Sequence, residues 1–324
     1  MPSYTAVGGR ERLGAAGLSA VLLNRPGRYS RRGLFQDLEK AGFDYVISVE
    51  HPRERCDVED LSGRFPFVRF ILLKEDTNPG GQINLAASEL SEPLFFVLWN
   101  DMRVLSGQAA LTAERLFLGA EERRKAGAAA SPVRRLCTVP VIQNSRFETI
   151  PSLAAPAVFR NTVKTLSFPP RREGHRSLYP FDGVGIYDRE RFIRLGGFDR
   201  TLDNAYWQLM DFGFRAHLWG EEIVSTQHVK IAYEGDTPVE DSTVGESYRR
   251  FYLKNLAPVF RGGAASLPIL RFPGYLIRSG GDPLAAWEDF SESRRWVKTN
   301  RYRWTADARG IAESWEDAGE TAGS

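Results

Sequence analysis

Apolar residues along this chain fall into short continuous runs, and the stretches between the runs repeat with helical spacing. Residues 18–24 (LSAVLLN) are one such run, ending in Asn24-Arg25-Pro26-Gly27, the pattern of a buried strand entering a loop. Residues 32–41 then place Leu34, Phe35 and Leu38 on one helical face and stop at Gly42. A second run, residues 45–49 (YVISV), closes on Glu50. Strand, helix and strand within about thirty residues make a βαβ unit, which predicts a parallel sheet.

The same grammar continues with a third strand over residues 68–73, a helix over 81–90 and a fourth strand over 94–99 (LFFVLW). That fourth strand is apolar on both faces, so both must be covered by helices, which predicts an α/β core and excludes a β-sandwich. Residues 109–118 read as a helix and 121–131 as a surface crossover, followed by a strand over 139–143. From 146 to 177 the chain contains Pro151, Pro156, Pro169 and Pro170 and keeps no period, so long loops with short helices are expected there. Regularity returns as a strand over 183–187, a helix over 189–195, the turn Gly196-Gly197-Phe198-Asp199 and a helix over 204–219. From 248 onward the tail reads as helical and rich in Arg and Trp, and residues 312–324 as a fraying end.

Composition narrows the class. Of 324 residues, 42% are hydrophobic and 26% charged, which excludes a disordered or fibrous chain. The 43 basic and 41 acidic residues leave +2, too balanced for a nucleic-acid binder. Only seven of the basic residues are Lys; the Arg excess mildly favours anionic ligands, and a compositional bias would produce it equally well. The two cysteines, Cys56 and Cys137, lie far apart, which indicates neither a zinc site nor a disulfide framework. With no signal-like start and no run of eighteen apolar residues, a cytoplasmic protein is expected. Arg294, Arg295, Trp296, Arg301, Arg303 and Trp304 leave room for peripheral contact with the inner membrane face; the same residues read more readily as core aromatics beside solvated arginines.

Three constellations carry candidate chemistry. Asn100-Asp101-Met102-Arg103 follows the buried LFFVLW strand, and ligands of open α/β sheets sit outside the carboxyl ends of strands. An acidic residue there can hold a metal against a phosphate, or simply form a turn or helix cap. Residues 77–84 (TNPGGQIN) offer two glycines and two asparagines between a strand and a helix, where backbone amides can meet a ligand or merely start the helix. Asp211 shares a helix face with Gln208 and Arg215, so it is either paired or used. Arg171, Arg172 and Arg176 form a basic loop that can meet a phosphorylated acceptor or stay solvated.

Taken in order, these features resemble glycosyltransferase family 2, whose nucleotide-sugar-binding domain has the GT-A fold. The matches run from about residue 18 to 228: a first strand ending at Asn24 and Arg25, a second ending at Glu50, an N-x-G-x-x-x-N segment (Asn78, Gly80, Asn84), Asn100-Asp101, the GGFD turn, and Asp211 on the next helix. The resemblance implies an α/β, Rossmann-like GT-A fold with a central mostly parallel sheet flanked by helices. It divides the chain into an N-terminal segment (1–17), a GT-A domain (18–240) and a C-terminal helical extension (241–324).

It also implies a metal-dependent, inverting transfer of sugar from a nucleoside-diphosphate donor, UDP-linked by expectation, to a glycan or lipid-linked acceptor. Asn24, Arg25, Glu50, Asn78, Gly80, Asn84, Asn100 and Asp101 would meet the donor. Asp101 and His228 would hold Mn or Mg, and Asp211 would be the base, with Asp182 and Asp199 next in line. The family's Asp-x-Asp motif is altered, because Trp99 and Met102 stand where its other carboxylate would be. Met210 replaces the acidic neighbour of Asp211. These departures make a catalytically degraded binding protein the alternative reading. A nucleotidyltransferase lacks its Gly-rich, Lys-containing loop near the first strand.

Overall fold

A computed structural model of the protein describes residues 2–14, 17–27, 29–52, 57–105, 135–159, 162–280 and 282–320. The first half runs β1 (Tyr4–Gly8), β2 (Leu18–Leu23), α1 (Arg31–Lys40), β3 (Tyr45–Glu50), α2 (Val58–Arg64), β4 (Val68–Leu73), α3 (Pro79–Glu89), β5 (Leu94–Trp99) and β6 (Met102–Val104). The expected helix over 109–118 and crossover over 121–131 lie outside the described residues. The chain continues through β7 (Arg135–Gln143), β8 (Leu153–Phe159), β9 (Thr162–Phe168), a 3-10 turn (Phe181–Gly183), β10 (Gly185–Asp188), α4 (Arg189–Leu195), α5 (Ala205–Leu218) and β11 (Glu222–Tyr233). It ends with α6 (Glu246–Phe251), a π-helical turn (Tyr252–Leu256), the hairpin β12 (Val259–Arg261) and β13 (Ala264–Ser266), α7 (Phe272–Ser279), α8 (Pro283–Asn300) and α9 (Ala308–Glu320).

The described residues build a nine-stranded sheet in the order β1-β4-β3-β2-β5-β10-β7-β11-β6. Six strands point one way, and β1, β10 and β6 run against them. Every residue of β2, β3 and β5 is buried, as their unbroken apolar runs require. Each large apolar side chain so enclosed contributes about 1.5–3 kcal/mol, so these central strands are the rigid part of the molecule. Strand order reverses between β2 and β5: β3 and β4 lie to one side of β2, and β5 to the other. In open sheets of this kind ligands sit outside the carboxyl ends of the strands at such a reversal, here the ends of β2 and β5.

Several segments differ from the sequence expectation. Residues 4–8 of the N-terminal segment pair antiparallel with β4 and extend the sheet. The proline-rich stretch forms the two-stranded hairpin β8-β9 where loops and short helices were expected. Pro156 is tolerated because this ribbon stands apart from the main sheet and an edge strand can spare one donor. At the other end, Ile311, Ala312 and Trp315 of α9 are buried, so this part of the expected fraying tail is docked on the core.

The C-terminal tryptophans also turn inward. Trp304 is buried and Trp296 stacks on Trp219 at 6.0 Å, so these two rings follow the core-packing reading. Arg303 lies over Trp219, and Arg176 over Trp315. No helix among the described residues is long and apolar enough to cross a membrane.

Candidate functional site at the carboxyl ends of the parallel strands

The loop after β2 and the loop after β5 are tied together by one side chain. Asn100 accepts from the Arg25 backbone N–H at 2.9 Å and donates to the Arg25 carbonyl at 3.0 Å, while its own N–H reaches Leu23 O at 2.9 Å. Asn24 spans the other side, donating to the Val49 carbonyl at 2.7 Å. The strand ends are thus fastened by asparagine amides, and the Arg25 side chain is aimed from a fixed backbone.

Arg25 is the centre of the site. Its Nη1 donates to Asp101 at 3.1 Å, and its Nη2 donates to both carboxylate oxygens of Asp182. The guanidinium lies over the Trp99 ring, 3.8 Å from the centroid, and the Trp99 indole N–H donates to the Asp182 carbonyl at 3.0 Å. Tyr233 Oη donates to Asp182 at 2.8 Å, and Glu234 N–H donates to the Asp101 carbonyl at 2.7 Å. Asp182 sits at φ 57°, in the left-handed region that costs a non-glycine residue energy and recurs at functional sites.

The electrostatics of the cluster are lopsided. Burial alone would lower the Arg25 pKa, but the carboxylates of Asp182 and Asp101 outweigh it and raise it. Burial pushes Asp182 up despite Arg25 and Tyr233, and Asp101 adds to the rise. One guanidinium therefore serves two carboxylates. Nearby, Tyr179 Oη donates to Glu240 Oε2 at 2.9 Å, and Oε1 of Glu240 is buried with no hydrogen-bond partner among the described residues. Burial first, and then the charge of Asp182, push the Glu240 carboxyl up to about 7.

Glu50 lies at the end of β3, buried, with Arg31 and the Ser48 hydroxyl on Oε1. The expected set is therefore brought together in part: Asn24, Arg25, Glu50, Asn100 and Asp101 share one edge of the sheet. Sequence reasoning did not find Tyr233 or Glu240, and it placed Asp182 only as a reserve base. The signal for Tyr233 was its place at the end of a strand, masked because residues 222–233 mix polar and apolar positions.

Asn78, Gly80 and Asn84 have other work. Asn78 caps α3, accepting from Gly81 N–H at 2.9 Å, and donates to the Arg200 carbonyl at 2.9 Å. Asn84 makes a two-way clamp on the Phe198 backbone, both bonds at 2.8 Å. Gly80 N–H donates to Gln208 Oε1 at 2.9 Å, and a Cβ there would sit 2.5 Å from Gln208 and Phe198. The N-x-G-x-x-x-N segment thus fastens the GGFD turn to α3. A cleft of about 940 Å³ opens beside this turn, lined by Asn78, Asn84, Asp199, Lys254 and Trp296. It is separate from the strand-end cluster.

Asp211 is likewise held by protein neighbours. It is fully buried, with Arg215 Nη2 at 2.8 Å, Lys254 Nζ at 3.0 Å and Asn255 Nδ2 at 2.7 Å. Burial would raise its pKa, but Lys254 and Arg215 hold the carboxyl below its ordinary value. A dry, doubly paired carboxylate cannot reach an acceptor hydroxyl. The π-helical turn after α6 delivers Lys254 and Asn255 to it, and Lys254 also pairs with Asp199 at 2.7 Å. Asp199 is likewise held low, with Lys254 overcoming its burial.

His228 and Asp101 do not meet. β11 is antiparallel to β6 with Tyr233 opposite Met102, so Asp101 adjoins the end of β11 while His228 lies five residues back. Among the described residues no contact between the two side chains is found, and Lys230 and the strand beyond it separate them along β11. Among the described residues no group of three or more His, Cys, Asp or Glu could hold a metal ion. The Arg25 guanidinium lies between the carboxylates of Asp101 and Asp182. The donor set as arranged does not fit Mn or Mg.

No family model matches the sequence, and no curated protein matches it. Among solved structures, GalNAc-T7 with UDP, GalNAc and Mn2+ superposes with a TM-score of 0.52 at 13% identity, over 87% of this chain and 56% of that one. S. aureus TarS 1-349 with UDP-GlcNAc gives 0.46 at 11% identity, over 85% of this chain and 71% of that one. The mannosyltransferase PcManGT from Pyrobaculum calidifontis with GDP-Man and Mn2+ gives 0.44 at 11% identity, over 94% and 76%. The first of these places the chain in the GT-A fold, the architecture of nucleotide-sugar glycosyltransferases. This chain spans little more than half the length of the GalNAc-T7 chain.

Proposed function

We propose that this protein is a glycosyltransferase that binds a nucleoside-diphosphate sugar at the carboxyl ends of β2, β3 and β5 and transfers the sugar, with inversion, to a glycan or lipid-linked acceptor. The observation that carries the reading is the polar cluster of Arg25, Asn100, Asp101 and Asp182 at the strand-order reversal of a GT-A sheet. The fold supports a nucleotide sugar as donor, and a UDP-linked sugar is the first to test. The cytoplasm, expected from the sequence, is where such donors would be met.

With Asp211 enclosed, the proton of the attacking hydroxyl needs another acceptor. Glu240 suits that role: its Oε1 has no partner among the described residues, Tyr179 orients its other oxygen, and its pKa is pushed up to about 7. A base poised near neutrality is ionised often enough to act and basic enough to take a proton as the glycosidic bond forms. A second reading draws on the enclosure of Asp211: a GT-A-like protein that binds a nucleotide sugar or glycan without turning it over.

Thermal shift and calorimetry with UDP, GDP and their sugars test the donor, because a bound ligand stabilises the native state by mass action. Release of nucleoside diphosphate in the presence of glycan acceptors then separates the two readings. Glu240→Gln should slow transfer by roughly a hundredfold to ten-thousandfold with donor affinity unchanged. Absence of binding by any of these nucleotides overturns the donor reading, and wild-type transfer by the variant removes Glu240 from it.

A further inference from the structure

We infer that Arg25 is the built-in cation of this site, standing where a divalent ion would stand, and that anion binding here needs no metal. The guanidinium is bound by carboxylates from two separate loops, Asp101 at 3.1 Å and Asp182 through both its oxygens. It is also stacked on Trp99 at 3.8 Å, and its backbone is clamped from both sides by Asn100. Three contacts on the side chain and a clamp on its backbone define a position and not a passing surface pair.

An ion between two carboxylates supplies one thing, positive charge facing the diphosphate of a ligand. Arginine supplies it permanently, since it stays protonated throughout the ordinary pH range. It also has the planar fork that matches phosphate oxygens. Asp101 and Asp182 engage the terminal nitrogens Nη1 and Nη2, and neither contact uses Nε, so the fork retains N–H donors for a ligand. In this arrangement Asp101, Asp182, Trp99 and Asn100 are positioning residues: they hold and orient a cation that belongs to the chain. Tyr233, donating to Asp182 at 2.8 Å, braces the same assembly.

The inference deepens the donor reading, on which it rests for the nucleotide part of its test alone. The first measurement is titration of the purified native chain with Mn2+, followed by calorimetry and by paramagnetic resonance. No stoichiometric binding that depends on Asp101 is expected. The second is UDP and GDP affinity in chelator and in Mn2+, expected to agree within about twofold, whereas damage to a real metal site costs about tenfold or more.

The third measurement is Mn2+ titration of Arg25→Met, which leaves Asp101 and Asp182 facing each other without their cation. It should gain Mn2+ binding, and Arg25→Met combined with Asp101→Asn should lose it again. Stoichiometric Mn2+ binding by the native chain that Asp101→Asn abolishes would overturn the inference, as would a tenfold or greater loss of nucleotide affinity in chelator. Should neither nucleotide bind under any condition, the donor reading falls. The Mn2+ titrations of the native chain still decide this inference, and they do so even if Arg25→Met does not fold.

Discussion

Two carboxylate clusters in this molecule look alike in sequence and differ in charge balance and in access to water. At the strand ends, one guanidinium serves Asp101 and Asp182, and Arg25 keeps 22% of its side chain exposed. Behind the GGFD turn, Asp211 and Asp199 are met by Arg215 and Lys254, and Asp211 is wholly enclosed. Within this cluster the Asp211 carboxylate is enclosed and paired twice, so it stabilises. At the strand ends the guanidinium keeps part of its surface exposed, so Arg25 retains capacity for a ligand. Charge balance and access separate the two roles; residue type and spacing do not.

The sharpest test of that contrast is Asp211→Asn, which leaves Lys254 and Arg215 buried beside an amide. Breaking a buried pair costs about 3–5 kcal/mol, so urea unfolding should show a loss of that size, with nucleotide affinity of the folded protein intact. Asp101→Asn should cost only about 1 kcal/mol, because Arg25 keeps Asp182. Equal losses for the two variants would dissolve the distinction between the clusters.

The two halves of the molecule should also respond to pH with opposite sign. His217, on α5 near Asp211, is fully buried against Trp315 and the Ser177 carbonyl, and burial first, then Arg176, lowers its pKa from 6.5 to about 4. Its contribution is therefore complete above pH 6.5 and lost as pH falls toward 4, on the order of 3 kcal/mol in all. His217→Gln should flatten the acid limb of a stability profile measured by chemical denaturation.

Glu240 runs the other way. Its folded pKa is raised from 4.5 to about 7, so its contribution is complete below 4.5 and is lost as pH rises through 7. Glu240→Gln should gain roughly 2 kcal/mol over wild type at pH 8 and nothing at pH 4, an amount discounted because the residue is only partly buried. A variant that tracks the wild type at both pH values would place Glu240 in water, away from the site. The smallest effect is expected at His228, an exposed position of β11: His228→Ala should change stability by no more than about 0.5 kcal/mol and leave nucleotide affinity unchanged.

What the sequence determined by itself was the scaffold. Predominantly apolar runs at residues 18–23, 45–49 and 94–99 demand burial on both faces, and burial of a strand on both faces admits few architectures. The same logic located the strand ends, and with them Asn24, Arg25, Asn100 and Asp101. The proline-rich hairpin stayed illegible because a two-stranded ribbon apart from the sheet imposes little alternation on its residues.

Roles were decided only by tertiary structure. Asp101 and Asp211 each follow an apolar stretch and each has an arginine near it in sequence, but each also takes a partner from afar: Arg25 to Asp101 across 76 positions, Lys254 to Asp211 across 43. Whether a carboxylate is enclosed or open depends on which distant backbone covers it. Solvation and charge balance are properties of three-dimensional neighbourhoods, and local pattern constrains them only where the chain is its own neighbour.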